Sequence, residues 1–327
     1  MSFLLLLRSS LVAFVLASSL GCSGERAAPT PPARRADPVE KRAAQAPPPV
    51  ASAAPAAAEP PAEPAYDLPA DRTRRIESAK EELGARSVTA IVSDVFVVVG
   101  PPGWQDRRFE QSVELMRSSI SGYLNNRFAR KPARAISVYL FPNAQTYETF
   151  CTRKYAAACI AHFGFYQPGD RYMVMNIGLG LGTLTHEIVH PLVEADFPGA
   201  PTWINEGIAS VFEQPVIPRP GEIHGAKNWR HPRLKRALTT AERDQARLDR
   251  LFGMRDDVFR GDGEDLHYAL ARYVCQWLDE RGKLWPFYQR WRDGVKDDPT
   301  GEKAFTEVVG MTPADAHVAW SRWALAL

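Results

Sequence analysis

Apolar residues fall into two regimes along the chain. From about residue 71 to 178 they form short dense runs. Val88–Val99 is β-branched and reads as one strand ended by Gly100-Pro101-Pro102. Ile136–Phe141 reads as a second strand, and Phe163–Tyr166 and Tyr172–Ile177 as two more, joined by a turn at Pro168-Gly169-Asp170. Between them, Phe109, Val113, Met116, Ile120 and Leu124 recur at helical spacing within 106–129. Asn143 is placed to cap a short helix from Ala144 to about Thr152.

Beyond residue 180 the pattern is helical. Helices are expected at 183–195, 202–213, 229–238, 264–281, 284–293, 301–308 and 313–325. The last has Thr312 as its cap and Pro313 in its first turn. The expected fold class is α+β, one two-lobed unit with a small mixed sheet packed on a helical half.

The first 70 residues follow neither regime. Leu11–Leu20 is apolar, short and followed by small residues, the layout of a secretory signal. Ser19-Leu20-Gly21-Cys22 resembles a bacterial lipoprotein cleavage box, which implies a lipid anchor at Cys22 and a membrane as partner, with a plainly secreted protein as the other outcome. Residues 23–70 are Pro- and Ala-rich and read as an extended tether. The expected organisation is therefore 1–22 signal, 23–70 tether and 71–327 folded domain, with the domain exported.

Composition changes little. Of 327 residues, 45% are hydrophobic and 24% charged, with a net charge of +2, so nothing global points to nucleic acid. The basic stretch Lys227–Arg260 is interleaved with acids and reads as a solvated helical face. Of the four cysteines, Cys151 and Cys159 are close enough in sequence to close a small loop. Cys275 lies in an apolar helical pattern and reads as a buried thiol.

The chemistry sits in His186-Glu187-Ile188-Val189-His190. On a helix, positions i and i+4 share a face, so two imidazoles there can bind one metal ion from the same side with the glutamate beside them. Catalytic zinc sites take three protein ligands and leave a place for water. Glu206, in the next helix, is placed to be the third. Pro191 directly follows the second histidine and should kink the helix there.

The run Thr185–Glu213 (THEIVHPLVEADFPGAPTWINEGIASVFE) resembles the zinc-binding core of the gluzincin metallopeptidases, most of all the bacterial peptidase MA-like group, where HExxH is followed by W-x-x-E-G-x-A. The resemblance implies a zincin-like domain, a Zn2+ cofactor held by His186, His190 and Glu206, and Glu187 as general base on a zinc-bound water in peptide-bond hydrolysis. It further implies an oxyanion donor on a later helix, for which Tyr268 and His267 are the candidates and Tyr268 is favoured. Peptide or protein substrates would pair with an edge strand, expected at 172–177. Ser210 and Glu213 are candidates to fix a ligand histidine. The competing reading is a lipid-anchored envelope binding protein with a structural or catalytically silent zinc site, and a third is an amidase acting on cell-wall peptides.

Overall fold

The computed structural model describes residues 65–104, 107–159, 161 and 163–327. The signal segment, Cys22 and nearly all of the tether lie outside the described residues. Among the described residues no helix is long and apolar enough to cross a membrane.

The chain is α+β. In order it forms α1 (Leu68–Leu83), β1 (Val88–Val92), β2 (Phe96–Gly100), α2 (Arg107–Leu124), β3 (Ile136–Phe141), α3 (Ala144–Tyr155), β4 (Gly164–Gln167) and β5 (Tyr172–Asn176). The helical half follows as α4 (Gly182–Glu187), α5 (Val189–Asp196), α6 (Thr202–Val211), α7 (His231–Thr239), α8 (Asp256–Phe259), α9 (Glu264–Asp279), α10 (Leu284–Gly294), α11 (Glu302–Val309) and α12 (Pro313–Ala326). A two-residue ladder pairs Pro215–Val216 with His224–Gly225.

The sheet order is β1-β2-β3-β5-β4. The inner pairs β2/β3 and β3/β5 are parallel, and the outer pairs β1/β2 and β5/β4 are antiparallel. Every residue of β2 and β3 is buried, because the sheet is covered on both faces. Phe96, Val98, Val138, Leu140, Met173 and Met175 face the main core with α2 and the helical half. Val97, Val99, Tyr139, Phe141 and Val174 face a smaller core closed by α1 and α3. This alternation is the two-residue period of extended chain.

Three expectations need correction. Val88–Val99 is a hairpin, not one strand: Ser93 and Asp94 take left-handed backbone (φ 50° and 64°) and reverse the chain. Neither is the glycine or asparagine that marks such a turn, so the apolar run conceals it. Secondly, α1 begins inside the expected tether. Asp67 caps it by accepting from the Ala70 amide, and Asp71 gathers Tyr66, Arg74, Arg75 and Arg171. Its sequence is too polar to announce a buried face, since only Ile76, Ala79 and Leu83 reach the small core. Thirdly, the basic stretch Lys227–Arg260 is no single helical face. It is broken into α7, two 3-10 turns and α8.

Other expectations hold. Asn143 accepts from the Thr146 amide at the head of α3, and Thr312 accepts from the Asp315 amide at the head of α12. Cys151 and Cys159 form a disulfide, and Cys275 is a buried free thiol.

The W-x-x-E-G-x-A pattern has a packing logic. Trp203 is buried and stacked with Trp291 and Phe287. Gly207 marks where α6 meets α9: a Cβ there would lie 2.7 Å from Cys275 Sγ and 3.0 Å from the Ala271 carbonyl oxygen. Close approach of the two helices thus excludes any side chain at this position. Ala209 is fully buried beside it. Glu206 is left as the one charged group on the buried part of this helix.

Candidate metal centre

The expected helix over 183–195 is present but interrupted at Ile188, between α4 and α5. Pro191 has no N–H to give to the Glu187 carbonyl, so the turn spanning them loses its hydrogen bond. The break therefore falls inside the motif, not after it. It is mild, since Ile188 keeps helical dihedrals (φ −62°, ψ −27°), and the two imidazole rings remain 5.0 Å apart.

The loop 197–201 turns the chain into α6 and brings Glu206 to the two histidines. One ligand atom from each of His186, His190 and Glu206 lies within 4.8 Å of the others. His186 Nε2 is 3.3 Å and His190 Nε2 is 3.9 Å from Glu206 Oε2. Metal–ligand bonds of about 2.0–2.1 Å in tetrahedral geometry set ligand atoms about 3.3 Å apart, so the His186–Glu206 separation already suits one ion and the His190–Glu206 separation has to close by about half an ångström. Glu206 Oε2 is buried without a hydrogen-bond partner. A buried carboxylate oxygen that faces two imidazole nitrogens without a well-formed hydrogen bond is costly unless a proton or a metal cation joins them. The three residues can therefore hold a metal ion.

The electrostatics favour positive charge at the same point. Burial acts to lower the pKa of His186, but the Glu206 and Glu213 carboxylates outweigh it and push the group up to about 10. Burial would raise the pKa of Glu206, yet His190, His186 and Arg260 hold it well below the usual carboxylate range.

The contacts that support the ligands extend beyond the two candidates the sequence offers. Glu213 Oε1 lies 3.4 Å from His186 Nδ1, long for a hydrogen bond but close enough to orient the ring. Glu213 is itself clamped by Arg230, whose Nη2 and Nε reach its two oxygens at 2.7 and 3.0 Å, and by the Asn228 side-chain amide at 2.6 Å. Gly182 lets α4 approach this point, since a Cβ on it would lie 2.3 Å from the Glu213 carbonyl oxygen. Asn205 Oδ1 meets His190 Nδ1 at 2.9 Å, which leaves Nε2 with a free lone pair for a metal. Ser210, the other candidate, makes no such contact: its hydroxyl is buried without a partner. Asn205 adjoins Glu206 in sequence, and that polar neighbour was the available signal. Arg230 and Arg260 come from the basic stretch and carried none.

Glu213→Gln keeps the size but weakens the charge behind His186. It is expected to lower metal affinity by about 10- to 100-fold, read by competition with a chromogenic chelator.

Glu187 lines the same cleft, with Oε2 3.8 Å from His190 Nε2. Tyr268 lines it too. Its hydroxyl accepts a hydrogen bond from Arg260 Nη1 at 3.0 Å, while Arg260 Nη2 donates to Glu206 Oε1 at 2.7 Å. Burial, then the nearby Glu206 charge, push the Tyr268 phenol above its ordinary pKa. His267, its neighbour on α9, turns elsewhere: Nδ1 meets the Phe259 carbonyl at 3.0 Å and the ring lines a separate cleft. His224, His231 and His317 lie outside the metal group, and His162 outside the described residues.

The cleft has a volume of about 620 Å³ and runs from the metal group along α5, with β4 as its other wall. The strand beside it is thus not the expected one. Residues 172–176 form β5, hydrogen-bonded on both sides by β3 and β4. The sheet edge belongs to Gly164–Gln167. The return of the chain after the 168–170 turn puts the later strand inside.

Comparison with family models and with characterised proteins finds no match to this chain.

Proposed function

We propose that the protein is a zinc-dependent peptidase with a zincin-like fold, acting outside the cytoplasm. The observation that carries this reading is the convergence of His186 Nε2, His190 Nε2 and Glu206 Oε2 at the floor of an open cleft that also holds Glu187. A donor set of two imidazoles and one carboxylate suits zinc, which when bound polarises a carbonyl and lowers the pKa of water.

The chain's own residues supply the rest. Glu187 is the general base: it takes the proton of the attacking water and passes it to the leaving amine. Tyr268 is the oxyanion donor. A phenol is protonated at neutral pH and so has a hydrogen to donate. Arg260 donates to the phenol oxygen, so the phenol's own hydrogen needs an acceptor; Glu206 is the one beside it here, and the developing negative charge would take its place. Edge strand β4 offers unpaired backbone groups along the cleft for an extended peptide. Residues 1–22 would direct export, and Cys22 with the tether would hold the domain at a membrane.

A structural or silent zinc site is the competing reading. Structural sites are closed by four protein ligands and need no carboxylate beside them, whereas a silent site differs only in having no activity. Three convergent atoms and Glu187 at an open cleft favour hydrolysis.

The test is removal of the metal. Cleavage of an unfolded protein should be lost in 1,10-phenanthroline and regained on adding zinc. Cleavage that persists in the metal-free protein would contradict the reading. Release of muropeptides without proteolysis would shift it to a cell-wall amidase.

A further inference from the structure

Past the metal group the cleft continues along α5, and the charge there is unaccounted for by hydrolysis. Glu194 follows His190 by four residues, so it lies on the same helical face about 6 Å further along the axis. That is the span of about two residues of extended peptide. Its carboxylate is exposed in the cleft lining. Tyr166, on β4 across the cleft, donates its hydroxyl hydrogen to Oε2 at 3.0 Å. This bond orients the carboxylate without neutralising it. No cation forms an ion pair with Glu194 among the described residues.

The other charges in the lining have partners. Glu187 and Glu206 face the metal group, and Arg260 is taken by Glu206 and Tyr268. Glu194 is the charge left for a substrate. Around it the walls are apolar: Phe165, Pro168, Val193, Phe197 and Ala200. An oriented carboxylate above an apolar wall suits a cation on an aliphatic stem, which buries its methylenes and keeps its head at the carboxylate.

We propose that Glu194 and these walls form a subsite for a cationic group of the substrate, the side chain of lysine or arginine, within about two residues of the bond to be cut. This rests on the peptidase reading for its function, but not for its binding. Tyr166 is the positioning residue of the subsite.

The experiment measures peptide binding to the full-length, zinc-loaded Glu187→Gln protein, which removes turnover. Three heptapeptides serve as probes: acetylated and amidated heptaalanine, the same peptide with a central lysine, and heptaalanine with a free amino terminus. The blocked lysine peptide should bind about fivefold tighter than the blocked alanine peptide, the size of one partly screened ion pair. Adding Glu194→Gln should remove that ratio. Tyr166→Phe, which frees the carboxylate to turn, should reduce it. Tighter binding of the free-amine peptide alone would overturn the side-chain assignment in favour of an α-amino group. Equal binding of all three, a lysine preference that survives Glu194→Gln, or no binding at all would overturn the proposal. A lysine preference lost in Glu194→Gln, with no cleavage by the protein that keeps Glu187, would instead overturn the peptidase reading and leave the subsite standing.

Discussion

Glu187→Gln is expected to lower kcat/KM for peptide hydrolysis by about 10²- to 10⁴-fold, the range for loss of a general base. Glutamine keeps the size of the side chain and can still accept through its amide oxygen, but it cannot take a proton. Glu187 is not among the three convergent ligand atoms, so the variant should bind metal as the parent does. That pairing separates the two readings of the site. A silent metal centre would have no activity to lose, and a structural role for Glu187 would show as lost metal or lost stability. Steady-state kinetics beside metal analysis of the same preparation reads both. Equal activity in the two proteins would remove Glu187 from the mechanism.

The second large effect is on stability. Asp196, at the end of α5, is fully buried. Its Oδ1 accepts from the amides of Ala129 and Arg130 at 3.0 and 2.8 Å, and Oδ2 pairs with Arg292 Nη1 at 2.8 Å. A carboxylate at a helix C-terminus opposes the helix dipole, so its place is explained by these partners. It ties the helix that carries His190 to the loop after α2 and to α10. Asp196→Ala removes one of the two carboxylates paired with a mostly buried guanidinium, leaving Asp293 on its Nε, and strips the acceptor from two amides. The expected cost is about 3–5 kcal/mol, read by urea unfolding. Asp196→Ala combined with Arg292→Ala should cost less than the sum of the singles, because the pair is then removed together. A loss below about 1 kcal/mol would mean that water replaces these contacts.

Much of this was legible in the chain because it is local. His186 and His190 share a face through helix geometry alone, and the short loop to α6 brings Glu206 within reach. Periodicity sufficed for α2, whose buried residues recur every three to four positions, while α9 is buried all round from Ala269 to Leu278 and was legible from its length and its apolar content. What was not legible depends on distant partners. Arg260 reaches Glu206 from just past the end of a four-residue helix, and nothing near it in sequence distinguishes it from a solvated arginine. His267 and Tyr268 are adjacent, so on a helix they point about 100° apart, and only the placement of α9 decides which faces the metal group. The helix α1 is illegible for the opposite reason: its buried stripe is too thin to stand out among its charges. The edge of the sheet was misassigned because strand order is a property of pairing, and β4 and β5 have similar patterns.

The most direct test of the account is metal content. The full-length protein, prepared without chelator, should carry about one zinc per chain. His190→Ala should lose it while retaining a cooperative unfolding transition. That result would establish His186, His190 and Glu206 as a metal centre. A parent that takes up no zinc on reconstitution, or a His190→Ala variant that keeps it, would contradict the account.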